Sequence, residues 1–175
     1  MLLTLFTLTL VVISLQGLQV DFERFEMLLG VDYYNSTLRV RKYNRTVVTL
    51  NGTMELLQPL NKSIIVSTAL FHSSRGNQQF NHYPVKFPTQ DVCEFMNSVY
   101  TEYREHLKDV VNLVSENECP IAPRVIIAAN DKVFPSHVVP RFFPSGLWKA
   151  QAIAWLNDIE VMRFEMIIKA KNDLI

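Results

Sequence analysis

The segment GLWKAQAIAWL, residues 146–156, is followed closely by VMRFEMIIKA, residues 161–170, and both alternate apolar and polar side chains. Period two belongs to a half-buried strand, whereas a helix face would repeat at three and four residues. The intervening Asn157-Asp158-Ile159-Glu160 is rich in turn formers, so the pair predicts an antiparallel hairpin. Its pattern places Trp148, Ala150, Ala152, Ala154 and Leu156 on one face, with Met162, Phe164, Met166 and Ile168 on the same face of the partner strand. Lys149, Gln151, Arg163, Glu165 and Lys169 fall on the opposite face. A sheet with one apolar face must bury it against a second layer.

Three consecutive inward positions of this hairpin are alanine, where a sheet that only needed a core would carry Val, Ile or Leu. Two readings account for them. Each alanine can sit opposite a bulky Phe or Met so that the interior is full. Alternatively, the small side chains leave volume between two sheets for an apolar ligand.

VVTLNGTMELL, residues 47–57, offers a similar choice. Asn51-Gly52 between apolar runs is a tight-turn signal. Read instead as one strand, Val48, Leu50, Gly52, Met54 and Leu56 face inward, and Thr49, Asn51, Thr53 and Glu55 face out. The continuous strand is preferred, because a turn would leave arms of only a few residues before Pro59. Gly52 then joins the alanines as an inward residue without bulk.

Further strands are expected in KSIIVSTALFH, residues 62–72, and in QQFNHYPVKF, residues 78–87, joined as a hairpin through Ser73-Ser74-Arg75-Gly76-Asn77. Between Cys93 and Cys119 the pattern turns helical, with Val92, Met96, Val99, Tyr103, Leu107, Val110 and Val114 at three- and four-residue spacing. One straight helix over that stretch would be roughly 39 Å long. A disulfide needs Cα atoms within roughly 7 Å. Either the two cysteines are unpaired, or the helix breaks and doubles back. A break at Asn97-Ser98 predicts a short helix from about Thr89 and a longer one from about Tyr100 to Glu116.

The stretch CPIAPRVIIAANDKVFPSHVVPRFFPSG, residues 119–146, holds five prolines, which remove ladder donors, and reads mostly as loop. Its apolar residues, among them Phe134, Val138, Val139, Phe142 and Phe143, either tuck onto the end of the sandwich or line the mouth of a pocket. The whole reads as mainly β, of α+β character: one antiparallel, immunoglobulin-like β-sandwich with a broken helical insert around residues 89–116.

The chain opens with MLLTLFTLTLVVISLQGLQV. The uncharged run from Leu2 to Leu15 is short for a membrane span and has the length of a signal-peptide core, with small Gly17 behind it. A signal peptide over residues 1–18 and a single domain over 19–175 are expected; an uncleaved anchor or a buried strand are the alternatives. Glycan acceptor motifs point the same way. Asn35-Ser36-Thr37, Asn44-Arg45-Thr46, Asn51-Gly52-Thr53 and Asn61-Lys62-Ser63 are four, where chance at this composition gives about 1.4. A secreted, extracellular glycoprotein follows, and in that compartment Cys93 and Cys119 usually pair.

Several function classes find no support. The net charge is zero and no basic run exists, which argues against a nucleic-acid partner and against an anionic membrane surface. No stable membrane insertion is expected once the signal is removed. There is no Gly-rich phosphate loop and no G-x-S-x-G, and His72, His82, His106 and His137 lack metal-ligand spacing. No catalytic residue, metal or cofactor is assigned, and an enzyme is not expected.

The ordered set LNGTMELL, ALFHSSRGNQQF, VCEFMN, ECPI and PRFFPSGLWKAQ resembles an insect family of small secreted proteins with a domain of unknown function. That family is grouped with the ML lipid-recognition β-sandwiches, which include ganglioside-activator-like proteins. The resemblance runs from about Tyr43 to Ile168. It matches the family's cysteine before the helices to Cys93, its Cys-Pro to Cys119-Pro120, and its Pro-x-Gly-Leu-Trp to Pro144, Gly146, Leu147 and Trp148. Cysteines that many relatives carry near the mature N-terminus are missing here, as is their Gly-Glu-Tyr-like stretch after the Cys-Pro. The resemblance implies a sandwich whose sheets part to hold a lipid, fatty acid or pheromone-like molecule, and related insect families are tied to chemosensation.

The expected lining is Gly52, Trp148, Ala150, Ala152, Ala154, Phe164 and Met166, with Phe142 and Phe143 at the rim. The alternative is an extracellular interaction protein or co-receptor accessory subunit with a filled core, touching a receptor or other protein partner through residues 134–143.

Overall fold

A computed structural model describes residues 18–108, 110–140 and 143–172. The chain is mainly β and forms two antiparallel sheets, as expected for a sandwich. In chain order the strands are β1 (Leu18–Leu29), β2 (Tyr34–Ser36), β3 (Arg39–Lys42), β4 (Val48–Leu56), β5 (Ile64–Ser73), β6 (Asn81–His82), β7 (Gln90–Asp91), β8 (Arg124–Lys132), β9 (Gly146–Leu156) and β10 (Ile159–Asn172). The first sheet runs β1-β10-β9-β5-β6, with β7 also on β5. The second places β4 between β8 on one side and the short pair β2 and β3 on the other.

The β9–β10 hairpin turns on two residues. Asn157 and Asp158 both have positive φ, 51° and 62°, the pairing that matches strand twist in a two-residue loop. Ile159 and Glu160, expected in the turn, already belong to β10. An irregularity between Glu160 and Met162 then sets the register that puts Met162 opposite Ala154. The residues expected to share a face therefore do so.

VVTLNGTMELL is a single strand, β4, and not a hairpin. Other expectations need correction. The β5–β6 hairpin is real but stubby, because only Phe71 and His72 pair with His82 and Asn81 before Pro84. Within residues 119–146, read as mostly loop, one element was missed: Arg124–Lys132 is a nine-residue strand that pairs with β4. Its prolines, Pro120, Pro123 and Pro135, fall outside the strand and bound it. At the N-terminus, Leu18 begins β1 opposite Asn172, while residues 1–17, which hold nearly all of the expected signal peptide, lie outside the described residues.

The helical insert also differs. Asp91 caps helix α1 (Val92–Phe95), its carboxylate accepting from the Cys93 and Glu94 amides. The expected break at Asn97-Ser98 is instead a π-helical turn, Met96–Tyr100, which passes into α2 (Thr101–Tyr103) and a 3₁₀ turn, Arg104–Leu107. No long helix from Tyr100 to Glu116 follows. The chain returns through turns in which Asn112 and Asn117 take left-handed φ of 58° and 59°. Asn112 donates to the Val125 carbonyl, which holds the return against β8, and Glu116 pairs with Arg104 of the 3₁₀ turn. That return brings Cys119 to Cys93 with Cα atoms 5.8 Å apart, and the two form a disulfide.

Candidate site between the two sheets

Two buried clusters close the ends of the sandwich. At one end Leu56, Leu60, Ile64, Val66, Val92, Cys93, Val114, Ile121, Ala154 and Met162 pack together. At the other, Val20, Trp148 and Ala170 are buried against Phe134, Val139, Phe143 and Ile168. The strands β5, β9 and β10 run from one cluster to the other, so the rows between them decide what the middle contains.

Those rows can be read from the register. Val66, Ala154 and Met162 form the row in the first cluster, and His72, Trp148 and Ile168 the row in the second. Between them lie Thr68–Ala152–Phe164 and Leu70–Ala150–Met166. Ala154 and Met162 are 6 % and 3 % exposed and Trp148 only 1 %. All six residues of the two middle rows remain partly exposed, although they occupy the same inward face. On the facing sheet, Leu50 and Met54 of β4 are also only partly buried, while Leu56 is sealed. The first-cluster row is buried throughout, and in the second Trp148 is buried while His72 and Ile168 are partly exposed like the six middle residues. Each alanine does sit opposite a large residue, yet pairing with Phe164 and Met166 does not close the space above Ala152 and Ala150.

From the second sheet Tyr34 projects onto Phe164, with ring centroids 5.5 Å apart at 79°. Phe25 of β1 stacks on Phe164 at 6.4 Å. Burial pushes the Tyr34 hydroxyl up to about 12, because the phenolate would lose its hydration there.

The expected site residues separate into three groups. Ala150, Ala152, Phe164 and Met166 share the half-open middle. Trp148 and Ala154 belong to the closed ends. The Trp148 ring stacks on Phe143 at 3.8 Å and on His72 at 4.4 Å, meets Tyr83 edge-on at 4.6 Å, and donates Nε1–H to the Pro144 carbonyl. Gly52 needs a correction. Its φ is +126°, and a Cβ there would lie 2.4 Å from the Thr37 carbonyl oxygen. Gly52 is small because the backbone joining β2 to β3 crosses it, not because it borders open space.

Thr68, Leu70 and Tyr34 were missed. Thr68 and Leu70 were legible in principle, since alternation in KSIIVSTALFH puts them in phase with Ile64 and Val66. Tyr34 has no such signal, because β2 is three residues long.

At the rim, Phe142 lies outside the described residues. Phe143 packs on Trp148, Phe134 packs edge-on against Phe22 at 5.2 Å, and Ser136 holds this segment to β1 through the Val20 amide and carbonyl. The apolar loop is therefore tucked onto the end of the sandwich. A separate open cleft of about 360 Å³ lies beside the disulfide, lined by Asn61, Lys62, Ser63, Cys119 and Pro120, at the far end of β5 from the second cluster.

The four acceptor asparagines lie on β2, on β4, or in the turns flanking β4. Asn35, Asn44 and Asn61 are exposed and Asn51 is half-buried. In two of them the Asn side-chain oxygen accepts from the hydroxyl two residues on, Thr46 to Asn44 at 3.1 Å and Ser63 to Asn61. Among the described residues no group of three His, Cys, Asp or Glu converges, and no helix is long and apolar enough to cross a membrane.

A family model described as a protein of unknown function, DUF1091, matches residues 66–150. The match runs from the third position of β5, through the disulfide-closed insert and β8, to Ala150 of β9. A search of the curated proteins finds no match.

Proposed function

We propose that the protein is a secreted, glycosylated carrier that holds an apolar small molecule between its two sheets. One observation carries the reading. The middle rows of the sandwich, Thr68–Ala152–Phe164 and Leu70–Ala150–Met166, stay partly exposed on an inward face that is buried at Val66, Ala154 and Met162 towards one end and at Trp148 towards the other. Apolar surface left accessible inside a fold is stabilised by whatever apolar molecule covers it, by roughly 25 cal/mol per Å² removed from water. The likeness to ML-type lipid-recognition sandwiches belongs to this proposal, as does the extracellular setting. The Cys93–Cys119 disulfide and the four acceptor motifs support that setting.

The test is organic extraction and native mass spectrometry of the full chain produced in a eukaryotic secretory host. A co-purifying lipid or hydrocarbon is expected. A chain with no bound small molecule, and no thermal shift with long-chain hydrocarbons, fatty acids or esters, would overturn the reading.

A further inference from the structure

Two hydroxyls on the inward faces have no hydrogen-bond partner among the described residues. The first is that of Tyr34, set against Phe164 by the ring contact from the second sheet. The second is that of Thr68, which stands two strands from Phe164 in the same row, with Ala152 between them. Both residues are only partly exposed, and a donor withdrawn from water without a partner is costly and asks for an explanation. The two hydroxyls bracket a row whose middle member is a single methyl group.

The charge around them is equally informative. The inward positions of the first sheet are Val20, Phe22, Phe25 and Met27 on β1, the even positions 64–72 on β5, 148–156 on β9 and 162–170 on β10. None of these is Lys, Arg, Asp or Glu. The only imidazole, His72, is engaged at 3.0 Å by the Ser145 carbonyl and stacked on Trp148. An ionised head group placed in these rows would find no counter-charge on the first sheet, and burying one unpaired is costly.

We infer that the ligand is an uncharged, oxygen-bearing hydrocarbon, such as a long-chain ester or aldehyde, whose oxygen accepts a hydrogen bond from the Tyr34 hydroxyl. The inference rests on the carrier reading above and narrows it. The hydrocarbon part lies over Ala150 and Ala152, and Thr68 supplies a second hydroxyl at the far side of the row. Tyr34 keeps its proton throughout the physiological range, so its hydroxyl is available to donate to a ligand oxygen.

The experiment measures displacement of N-phenyl-1-naphthylamine from the full chain by hexadecyl acetate, hexadecane and palmitate, in the wild type and in Tyr34→Phe, with thermal melting of both unliganded proteins. Hexadecyl acetate is expected to bind about tenfold more tightly than hexadecane in the wild type, the usual worth of one hydrogen bond. Tyr34→Phe should lose that preference and keep hexadecane binding, and it should melt at a higher temperature when empty. Equal affinity for ester and hydrocarbon in both proteins would overturn the inference and leave the carrier reading standing. Tightest binding of palmitate would overturn the uncharged class. A Tyr34→Phe protein that loses all ligands together, or melts lower, would assign the hydroxyl a structural role and overturn the inference. Failure of the dye and of all three compounds to bind the wild type would overturn the carrier reading and this inference together.

Discussion

Ala152 lies directly opposite Phe164 across the β9–β10 ladder, and still the pair does not seal the interior at that level. One step along the same two strands, Ala154 opposite Met162 is fully packed. The difference is not in the pair but in what covers it. Ala154 belongs to one buried cluster with Leu56, Val92 and Ile121, whereas neither buried cluster includes Ala152.

Enlarging the two alanines should therefore have opposite effects. Ala154→Leu overpacks a closed row and is expected to cost about 1–3 kcal/mol. Ala152→Leu enters accessible space and should leave stability unchanged or raise it by about 0.5–2 kcal/mol. The same change should abolish ligand binding. Urea denaturation and dye displacement on both variants check the contrast, and equal destabilisation would mean that the middle is full.

Gly52→Ala should be costly although it adds only a methyl group. The residue would be held at φ +126° with its Cβ against the Thr37 carbonyl. Strain of that kind is worth roughly 1–3 kcal/mol before any clash is counted. Chemical denaturation measures it, and a harmless Gly52→Ala would restore Gly52 as a residue bordering open space.

The disulfide closes 26 residues. Loop-closure entropy for a ring of that size gives about 3.5 kcal/mol at room temperature. The Cys93→Ser, Cys119→Ser double variant should lose stability of that order. The loss should be largest for the first cluster, which contains Cys93 and packs on Cys119. Hydrogen exchange should show β5 near Ile64 and Val66 opening before the Trp148 end.

Acid should weaken the second sheet through Asp131. Arg41 donates to both its carboxylate oxygens at 2.8 Å, and Thr49 adds a third bond at 3.0 Å. The Arg41 hydrogen bonds come first among the causes that hold the Asp131 carboxyl below the usual carboxylate range. A group depressed on folding contributes stability above its unfolded value, about 3.9. That contribution disappears as pH falls through the lower folded value. Asp131→Asn should therefore be less stable than the wild type at pH 7, with the gap closing below about pH 4. A gap independent of pH would show that the carboxylate charge is not what matters.

How much of this was legible depends on how far apart the interacting residues are in the chain. The β9–β10 hairpin was readable because its two strands are neighbours and its turn chemistry is local, so alternation fixes both faces at once. The continuity of β4 was readable from the short arms a turn would leave before Pro59, but its faces were not, since Thr49, expected outward, is buried. Strand β8 was not, because prolines bound it on both sides and its partner β4 lies about seventy residues earlier. The insert was misread beyond Leu107. Its three- and four-residue spacing continues to Val114, but the need to return Cys119 to Cys93 overrides it.

The sequence alone determined the class of fold, the two faces of the final hairpin and the three alanines in a row on the inward one. Only the tertiary structure decided which of those alanines is covered. A missing side chain records that something is small there, not why. At Ala154 a buried cluster surrounds the residue, at Gly52 a crossing backbone occupies the place, and Ala152 and Ala150 stay partly exposed outside both buried clusters. The same small residue is required in all three cases, and what separates them is the distance to atoms contributed by distant parts of the chain.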